Sequence, residues 1–429
     1  MKKVFFQTFG CQMNVADSDD LLHALALRGY TPVHDSNAAD LVIVNTCSVR
    51  ERAEERALAR ITEFAAKKRG HKGKKLWVIG CMAERLGDSL KKQIRGINAV
   101  IGARELEDTE SVVRKYLDSR DGGEPHDLPA VSGVSEFVPV MRGCNNYCAY
   151  CIVPYVRGPE KSISADGIVR TIEKRVEQGV KEITLLGQNV NSYDDLGIDF
   201  SELLRRVAGI HDLKRVRFTT SHPKDCCEKL IVAMAELPKV CRHIHLPVQA
   251  GSDRILSLMN RRYTREHYRS LISMIRKHLP DADITTDLLV GFPGETEEDF
   301  NETLSLVEQV RFTTAFMFAY SVRAGTAAAA LDNDVPRKTK LERLGRLIAL
   351  QNSITGSIYN SMMGKELDCM VYGRLEKPGS TFLRGQDFGC KRVLLPCTDI
   401  KAGTILRVLA VRSSGMTLIA EELKKGPPL

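Results

Sequence analysis

The sequence predicts an α/β protein with three parts: an N-terminal parallel α/β domain, a central partial (β/α)6 barrel and a small C-terminal antiparallel β-barrel. Short apolar runs alternate with helical patterns near the start of the chain and again in its middle, as in parallel sheets covered by helices. In the tail, the apolar runs are separated by glycine-bearing turns and not by helical patterns, which predicts short strands. The expected boundaries are 1–117, a linker at 118–135, 136–361 and 362–425.

In the first part, three apolar runs predict strands and two segments predict helices. The strands are Lys3–Thr8, Asp40–Thr46 and Leu76–Gly80, and the helices are Asp17–Arg28 and a charged segment at about 49–68. The first strand is not followed by a glycine-rich phosphate-binding fingerprint, so a dinucleotide-binding fold is not supported. Residues 118–135 are polar and rich in turn formers, which indicates a linker.

The middle of the chain contains six further strand candidates with helical segments between them. They are Val138–Met141, Glu182–Leu186, Arg215–Thr219, His243–Leu246, Asp283–Val290 and Phe312–Phe318, with helices such as Ala165–Gln178 and Arg265–His278. Six strand–helix units favour a six-fold partial barrel. An open doubly wound sheet is the other possibility, and periodicity does not separate the two.

A long helical segment, about 338–363, connects the middle to the tail. The tail strands are expected at Leu367–Tyr372, Thr381–Arg384, Val393–Leu395, Ile405–Val411 and Thr417–Ala420. Their number and length indicate a β-barrel similar in size to an oligonucleotide-binding fold.

Composition excludes some classes of protein. No stretch approaches the roughly 18 consecutive apolar residues of a membrane span, and the opening apolar run is too short for a signal peptide. We therefore expect a cytoplasmic protein. The net charge of +8 over 429 residues permits binding to RNA without requiring it. Twelve cysteines in such a chain favour metal, cluster or redox roles over structural disulfides.

Cys144, Cys148 and Cys151 form a C-x3-C-x2-C motif directly after the first strand of the central part. Three thiolates on one loop can bind three irons of a four-iron cluster and leave the fourth iron open to a small molecule. The open iron can chelate the amino and carboxylate groups of S-adenosylmethionine, whose sulfonium bond then breaks on one-electron reduction. A structural zinc site, which normally has two C-x2-C pairs, and incidental clustering are the alternatives.

Cys11, Cys47 and Cys81 each lie just past one of the three N-terminal strands. Because the carboxyl ends of parallel strands share one edge of a sheet, we expect these thiols to converge and to hold a second cluster. Three unrelated buried cysteines are the alternative. The other cysteines show no ligand spacing: Cys226, Cys227, Cys241, Cys369, Cys390 and Cys397.

Several segments resemble the radical S-adenosylmethionine methylthiotransferases. They are Gln7–Asn14 (QTFGCQMN), Asn45–Ser48, Arg142–Gly158, Leu185–Tyr193, Leu246–Asp253 and Val290–Thr296. The resemblance covers essentially the whole chain, including the tail, which looks like a TRAM domain. Gly10–Asn14 and Leu246–Asp253 most resemble the branch that acts on isopentenyl-adenosine at position 37 of tRNA. The branches for threonylcarbamoyl-adenosine and for a ribosomal-protein aspartate remain alternatives.

The resemblance implies two 4Fe-4S clusters and two S-adenosylmethionine molecules per methylthio group added to adenine carbon 2. Cys144, Cys148 and Cys151 would hold the radical-generating cluster, and Cys11, Cys47 and Cys81 an auxiliary cluster that carries the transferred sulfur. It also implies contacts to S-adenosylmethionine from Gln188, Asn189, Gln249, Ser252 and Gly291, for which turn or capping roles are the alternative.

The expected partners are the anticodon stem-loop of tRNA, an external electron donor and a sulfur donor. The protein is expected to be a monomer. Candidate phosphate contacts are the basic residues of 67–75 and, in later segments, Arg337, Lys338, Lys340, Arg343, Arg346, Arg374, Arg384, Lys391 and Arg392, with Phe382 and Phe388 for stacking. A non-catalytic RNA-binding protein with a structural cluster is the rival from another class. Structural clusters generally use four protein ligands, which opposes it.

Overall fold

The computed structural model describes residues 2–48, 51–68, 73–117, 133–332, 334–377, 379–396 and 399–423. Most of the expected linker, part of the basic 67–75 segment, and Cys397 lie outside these ranges. The three-part α/β architecture is confirmed. Within the described ranges, no helix is both long and apolar enough to cross a membrane.

The N-terminal domain is built on a five-stranded sheet in which all neighbours are parallel. In spatial order its strands are Tyr30–Pro32, Lys2–Thr8, Leu41–Thr46, Lys75–Gly80 and Ala99–Gly102. The helices are Gln12–Ala26, Glu51–Lys68, Cys81–Leu86, Asp88–Gln93 and Thr109–Tyr116, with a 3-10 turn at Glu105–Glu107. This strand order reverses direction after the first strand, which is the doubly wound topology that places ligands at the carboxyl edge.

Two strands of this sheet were not predicted, and one helix starts earlier than expected. Tyr30–Pro32 and Ala99–Gly102 are too short to give a periodic signal. The first helix begins at Gln12 rather than Asp17, with Cys11 at its N-cap. This shift places Asn14 and Asp17 on a helix beside the cysteine.

The central domain has six parallel strands that neighbour one another in the order of the sequence. In a doubly wound sheet the strand order would reverse direction, so the partial barrel is confirmed. They are Ser135–Pro139, Glu182–Leu186, Arg215–Thr219, His243–His245, Asp283–Val290 and Thr314–Ala319. The strands form two three-stranded sheets, joined where Val216 bridges Val240.

Helices and short turns connect the barrel strands. The helices are Val153–Arg157, Ala165–Glu177, Phe200–Gly209, Glu228–Glu236, Asp253–Leu258, Arg265–His278 and Glu297–Val310, with 3-10 turns at Val190–Ser192, Pro223–Asp225 and Ala327–Ala330. Two small hairpins pair Met141–Arg142 with Lys161–Ser162 and Asp194–Asp195 with Ile198–Asp199. The first hairpin holds the two ends of the cysteine loop together.

The helix Arg337–Asn360 leads to a closed five-stranded barrel. Its strands are Glu366–Lys377, Ser380–Gln386, Arg392–Pro396, Ile405–Ser413 and Thr417–Glu422. Four of the strand pairings are antiparallel, as predicted, and Arg392–Pro396 pairs with Thr417–Glu422 in parallel.

The small barrel covers the amino ends of the central strands. The Arg215 guanidinium donates to the carbonyls of Gln386, Asp387 and Asp368 at 2.8–3.0 Å. The Lys391 ammonium, which is 5% exposed, pairs with Asp283 at 2.6 Å. This arrangement leaves the carboxyl ends of the strands, where the cysteine loop emerges, free for a site.

Three residues predicted to contact phosphate are buried instead. Lys391 belongs to the interdomain contact just described. Arg343 is 6% exposed and pairs with Glu295 at 2.8 Å, and Lys340 is 5% exposed. The prediction was wrong for these residues because a charge run does not reveal a partner contributed by a distant segment.

Candidate functional site

The first cysteine site is a single loop, 143–151, held closed by backbone contacts. Gly143 has φ +76°, and a Cβ there would lie 1.9 Å from the Pro159 carbonyl oxygen, so only glycine fits. The Cys144 amide donates to the Gly158 carbonyl at 3.1 Å, and the Cys151 amide to the Cys148 carbonyl at 2.9 Å. Distant segments also hold the loop, since the Ala149 amide donates to the Met259 carbonyl at 2.9 Å and Asn260 Nδ2 donates to the Tyr147 carbonyl at 3.0 Å.

Burial and neighbouring thiols set the charge state of this loop. Burial raises the pKa of Cys151 to about 12, and the adjacent Cys148 and Cys144 add to the shift. Burial also raises the pKa of Cys144. Two donors face the sulfurs: the Asn146 amide lies 3.5 Å from Cys144 Sγ, and Arg261 Nη1 lies 3.3 Å from Cys148 Sγ. Metal binding would release protons here, and these donors would stabilise the resulting thiolates.

The second site collects Cys11, Cys47 and Cys81 at the carboxyl edge of the N-terminal sheet. A Cβ at Gly10, where φ is +120°, would lie 2.7 Å from Cys47 Cβ, so the first two loops touch. Burial raises the pKa of Cys81 to about 12; the nearby Arg157 opposes this shift, while Cys47 and Cys11 add to it. The described cysteines form no disulfide. The three thiols converge as parallel topology predicts.

Buried amide side chains hold together the backbone segments that carry two cysteines of this second site. Asn14 Nδ2 donates to Asn45 Oδ1 at 2.8 Å and to the Thr46 carbonyl at 2.9 Å. Asn45 Nδ2 donates in return to the Asn14 carbonyl and to Ser18 Oγ, at 2.8 and 3.0 Å. Since these groups are buried, their bonds fix the helix that begins at Cys11 against the strand that precedes Cys47.

The two sites are joined by a buried ion triad. Asp17, which is fully buried, accepts from Arg142 Nη1 at 2.5 Å and from Arg157 Nη2 at 2.8 Å. Cys81 also packs against Ile152 and Val156, which follow Cys151 in sequence. Sequence reasoning missed the triad because its partners are distant along the chain, although both arginines lie in the segment that carries the family resemblance.

A cavity of about 310 Å³ is lined by one residue next to each cysteine site. The lining comes from the N-terminal domain, from Ile152 and from the loop after the last barrel strand, and includes Ser48, Leu58, Arg85, Val322 and Arg323. Ser48 directly follows Cys47, and Ile152 directly follows Cys151. The same cavity is therefore lined by a sequence neighbour of a cysteine from each site.

Three buried polar atoms at the ends of neighbouring barrel strands have no hydrogen-bond partner among the described residues: Gln188 Oε1, Ser221 Oγ and His222 Nε2. Burial, followed by the charge of Arg261, lowers the pKa of His222 to about 2, so its ring is neutral. Its Nδ1 accepts from the Lys224 amide at 3.2 Å, which places the proton on Nε2. These three atoms comprise one acceptor, one donor and one hydroxyl without a partner among the described residues.

The other four residues predicted to contact S-adenosylmethionine have contacts within the protein. Asn189 Nδ2 donates to Asp225 at 2.7 Å, and Ser252 Oγ donates to Asp299 at 2.6 Å while capping a helix. Gly291, with φ +69°, leaves room for the Lys340 side chain. Gln249 is buried with φ +73°. Ligand contact by these four residues stays a prediction.

Three thiols at each site are a suitable donor set for a four-iron cluster. In the parts of the chain that the structure describes, no three His, Cys, Asp or Glu side chains are close enough to ligate one ion. A four-iron cluster needs wider spacing because each thiolate binds a different iron. Each site offers three thiols, which leaves one iron of such a cluster available to a small ligand.

Comparison with known proteins finds a matching family for each of the two cysteine-bearing parts of the chain. Residues 138–307 match the radical SAM superfamily, and residues 3–102 match uncharacterized protein family UPF0004. The chain resembles, with a TM-score of 0.59 and 15% identity, the radical S-adenosylmethionine methyltransferase TsrM from Kitasatospora setae, over 77% of this chain and 75% of that one. At this identity, the likeness establishes the fold alone.

Two curated relatives match along nearly their whole length. The tRNA-2-methylthio-N(6)-dimethylallyladenosine synthase of Moorella thermoacetica is 41% identical over 96% of this chain and 97% of its own. The protein of the same name from Geotalea uraniireducens is 42% identical over 98% of both chains. The chain therefore belongs to the radical SAM family of tRNA-2-methylthio-N(6)-dimethylallyladenosine synthases.

Proposed function

We propose that this protein methylthiolates carbon 2 of N(6)-isopentenyl-adenosine at position 37 of tRNA, using two 4Fe-4S clusters and two molecules of S-adenosylmethionine. The relatives' shared name supports the substrate. The observation that carries the proposal is the pair of three-cysteine sites that meet where Cys81 packs against Ile152 and Val156. Adenine carbon 2 is neither acidic nor electrophilic enough for acid–base insertion, so a radical is required to replace its hydrogen with sulfur.

We assign the radical-generating site to Cys144, Cys148 and Cys151. A four-iron cluster bound there supplies the single electron that cleaves the sulfonium bond of S-adenosylmethionine. Arg261 supports this assignment, because its guanidinium is buried, lies 3.3 Å from Cys148 Sγ and is held by the Pro247 carbonyl. A fixed cation at this distance favours the thiolate form that metal binding requires.

We assign Gln188, Ser221 and His222 to the polar groups of S-adenosylmethionine. Each has a buried atom whose lack of a partner would cost free energy unless a ligand satisfied it. Gln188 Oε1 can accept from the ligand's ammonium, while the His222 Nε2–H and the Ser221 hydroxyl can donate to carboxylate or ribose oxygens. These residues bind and orient the ligand, and they shield it from water.

We assign the auxiliary site to Cys11, Cys47 and Cys81 in residues 1–117, and the radical site to 136–361. The C-terminal barrel, 362–425, would contact tRNA through exposed residues such as Arg384 and Arg392. Arg85 and Arg323, in the cavity lining, would face the anionic backbone near the target base. The proposal includes an external electron donor and sulfur donor, action as a monomer, and the cytoplasm as its location.

Mass spectrometry of modified nucleosides tests this function directly. Reconstituted protein, reductant, S-adenosylmethionine and tRNA bearing isopentenyl-adenosine should yield 2-methylthio-isopentenyl-adenosine. Product on threonylcarbamoyl-adenosine instead, or on a ribosomal-protein aspartate, would move the protein to another branch of the family. RNA binding without cleavage of S-adenosylmethionine would favour the non-catalytic alternative.

A further inference from the structure

Asp17 is a buried carboxylate of the N-terminal domain, and its charge is balanced by two arginines of the central domain. It lies on the N-terminal helix Gln12–Ala26, and both of its oxygens accept from arginines of the central domain. Side-chain exposure is 0% for Asp17, 4% for Arg157 and 10% for Arg142. Burying three charged groups is costly unless their geometry is good, so the contact holds one relative arrangement of the two domains.

Each member of this triad is linked by a short piece of backbone to a cysteine. Arg142 precedes Cys144 by two residues, Arg157 ends the short helix that begins two residues after Cys151, and Asp17 lies on the helix that Cys11 caps. A shift of the triad therefore moves both cysteine sites.

Asn14 connects the triad to the N-terminal thiols. Its Oδ1 accepts from Arg157 at 3.4 Å and from the Cys11 thiol at 3.3 Å, while its Nδ2 holds the strand end before Cys47. The Arg157 guanidinium, in turn, interacts electrostatically with Cys81 and Cys11 as well as with Asp17. Arg157, which ends the helix after the contiguous cysteine loop, is therefore close to the thiols of the N-terminal site.

We propose that Asp17, Arg142 and Arg157 are positioning residues that set the separation and orientation of the two cysteine sites, and so couple cleavage of S-adenosylmethionine to sulfur transfer. This inference rests on the proposed function. Transfer requires the sulfur, the adenine carbon and the site of radical formation to be aligned closely, whereas cleavage of S-adenosylmethionine requires only the contiguous site. Loosening the triad should therefore uncouple the two steps.

The test uses the double variant Asp17→Asn with Arg157→Gln in anaerobically reconstituted protein. Removing both charges avoids an unpaired buried arginine, and Arg142 keeps Asp20 at 3.6 Å. Two quantities are measured: the magnetic dipolar coupling between the two reduced clusters by pulsed EPR, and the ratio of methylthio nucleoside to 5′-deoxyadenosine. Glu236→Gln, which breaks an exposed Arg205 pair, is the control.

We expect the variant to form 5′-deoxyadenosine as the wild type does, with a shifted or broadened dipolar coupling and roughly 100-fold less methylthio product per cleavage. An unchanged coupling with an unchanged ratio would overturn the inference. Loss of cleavage in parallel with transfer would also overturn it, since the triad would then serve the contiguous site alone. If wild-type protein forms no methylthio product, the proposed function fails, and the dipolar coupling still decides whether the triad positions the sites.

Discussion

The two cysteine sites hold the same number of thiols but are built in different ways. Cys144, Cys148 and Cys151 lie on one loop, which its own backbone closes. Cys11, Cys47 and Cys81 lie on three loops, which meet only because a parallel sheet brings its strand ends together. The thiols of the first site therefore come from one loop, whereas those of the second are brought together by the fold of the whole N-terminal domain and its contact with the barrel.

Removing one thiol from each site should distinguish the roles of the two sites most clearly. Cys148→Ala should reduce 5′-deoxyadenosine formation by on the order of 1,000-fold or more, because that site generates the radical. Cys47→Ala should leave this cleavage near wild type and abolish methylthio product. Both products are measured by liquid chromatography with mass spectrometry. Loss of both products in Cys47→Ala, with normal folding and an intact contiguous cluster, would contradict divided roles.

Two glycines test the different construction of the sites. Gly143→Ala should prevent iron binding at the contiguous loop, because the new Cβ meets the rigid Pro159 carbonyl at 1.9 Å. Gly10→Ala should lower iron at the other site less completely, because the new Cβ would approach Cys47 Cβ to 2.7 Å, a milder overlap than the 1.9 Å at Gly143. Iron content and EPR signals after reconstitution measure both effects.

Gly179→Ala is the matched control for these variants. It has φ +104° with no atom within 4 Å of the new Cβ, so it should cost about 1–2 kcal/mol in the free energy of unfolding and leave iron unchanged. Equal iron loss in all three variants would show that backbone strain, and not the site, is responsible.

The sequence predicted the contiguous site more directly than the dispersed one. C-x3-C-x2-C is visible as spacing, whereas the convergence of Cys11, Cys47 and Cys81 required strand assignments first. The Asp17 to Arg157 bond joins residues 140 positions apart and leaves no periodic trace. The same limit explains Lys391, which resembles a solvent-facing charge in sequence yet pairs with Asp283, 108 positions away.

The residues assigned to the ligand were also only partly predictable from the sequence. Gln188 was expected to contact S-adenosylmethionine and has an unpartnered buried oxygen among the described residues, while Ser221, His222 and Arg261 were not expected. Serine and histidine near strand ends usually have structural roles, so residue type alone does not identify them. What distinguishes them is burial without a partner, which only coordinates reveal.

His222→Ala should affect the contiguous site alone. Losing one buried hydrogen bond to the ligand should weaken the affinity for S-adenosylmethionine about tenfold, equivalent to about 1.4 kcal/mol. Equilibrium binding to reconstituted protein measures the change, and the dispersed site should keep its iron. Unchanged affinity would remove His222 from the ligand pocket.

The smallest expected effect concerns the dispersed site without metal. The pKa of Cys81 is raised by burial from 9.0 to about 12, so the unfolded chain ionises first as pH rises. The stability from the neutral thiol is complete below pH 9 and is lost above it, by about 1 kcal/mol between pH 9 and 10. Urea unfolding of metal-free protein should show this extra loss in wild type and not in Cys81→Ala. The same pH dependence in both would contradict the burial of this thiol.

Iron content tests the central claim, two separate three-thiol sites, most directly. Anaerobically reconstituted wild-type protein should bind about eight irons per chain, and replacing either cysteine triad with alanine should leave about four. Mössbauer spectroscopy with iron analysis distinguishes four-iron clusters from adventitious iron. About four irons in the wild type, with none lost on replacing Cys11, Cys47 and Cys81, would contradict the account.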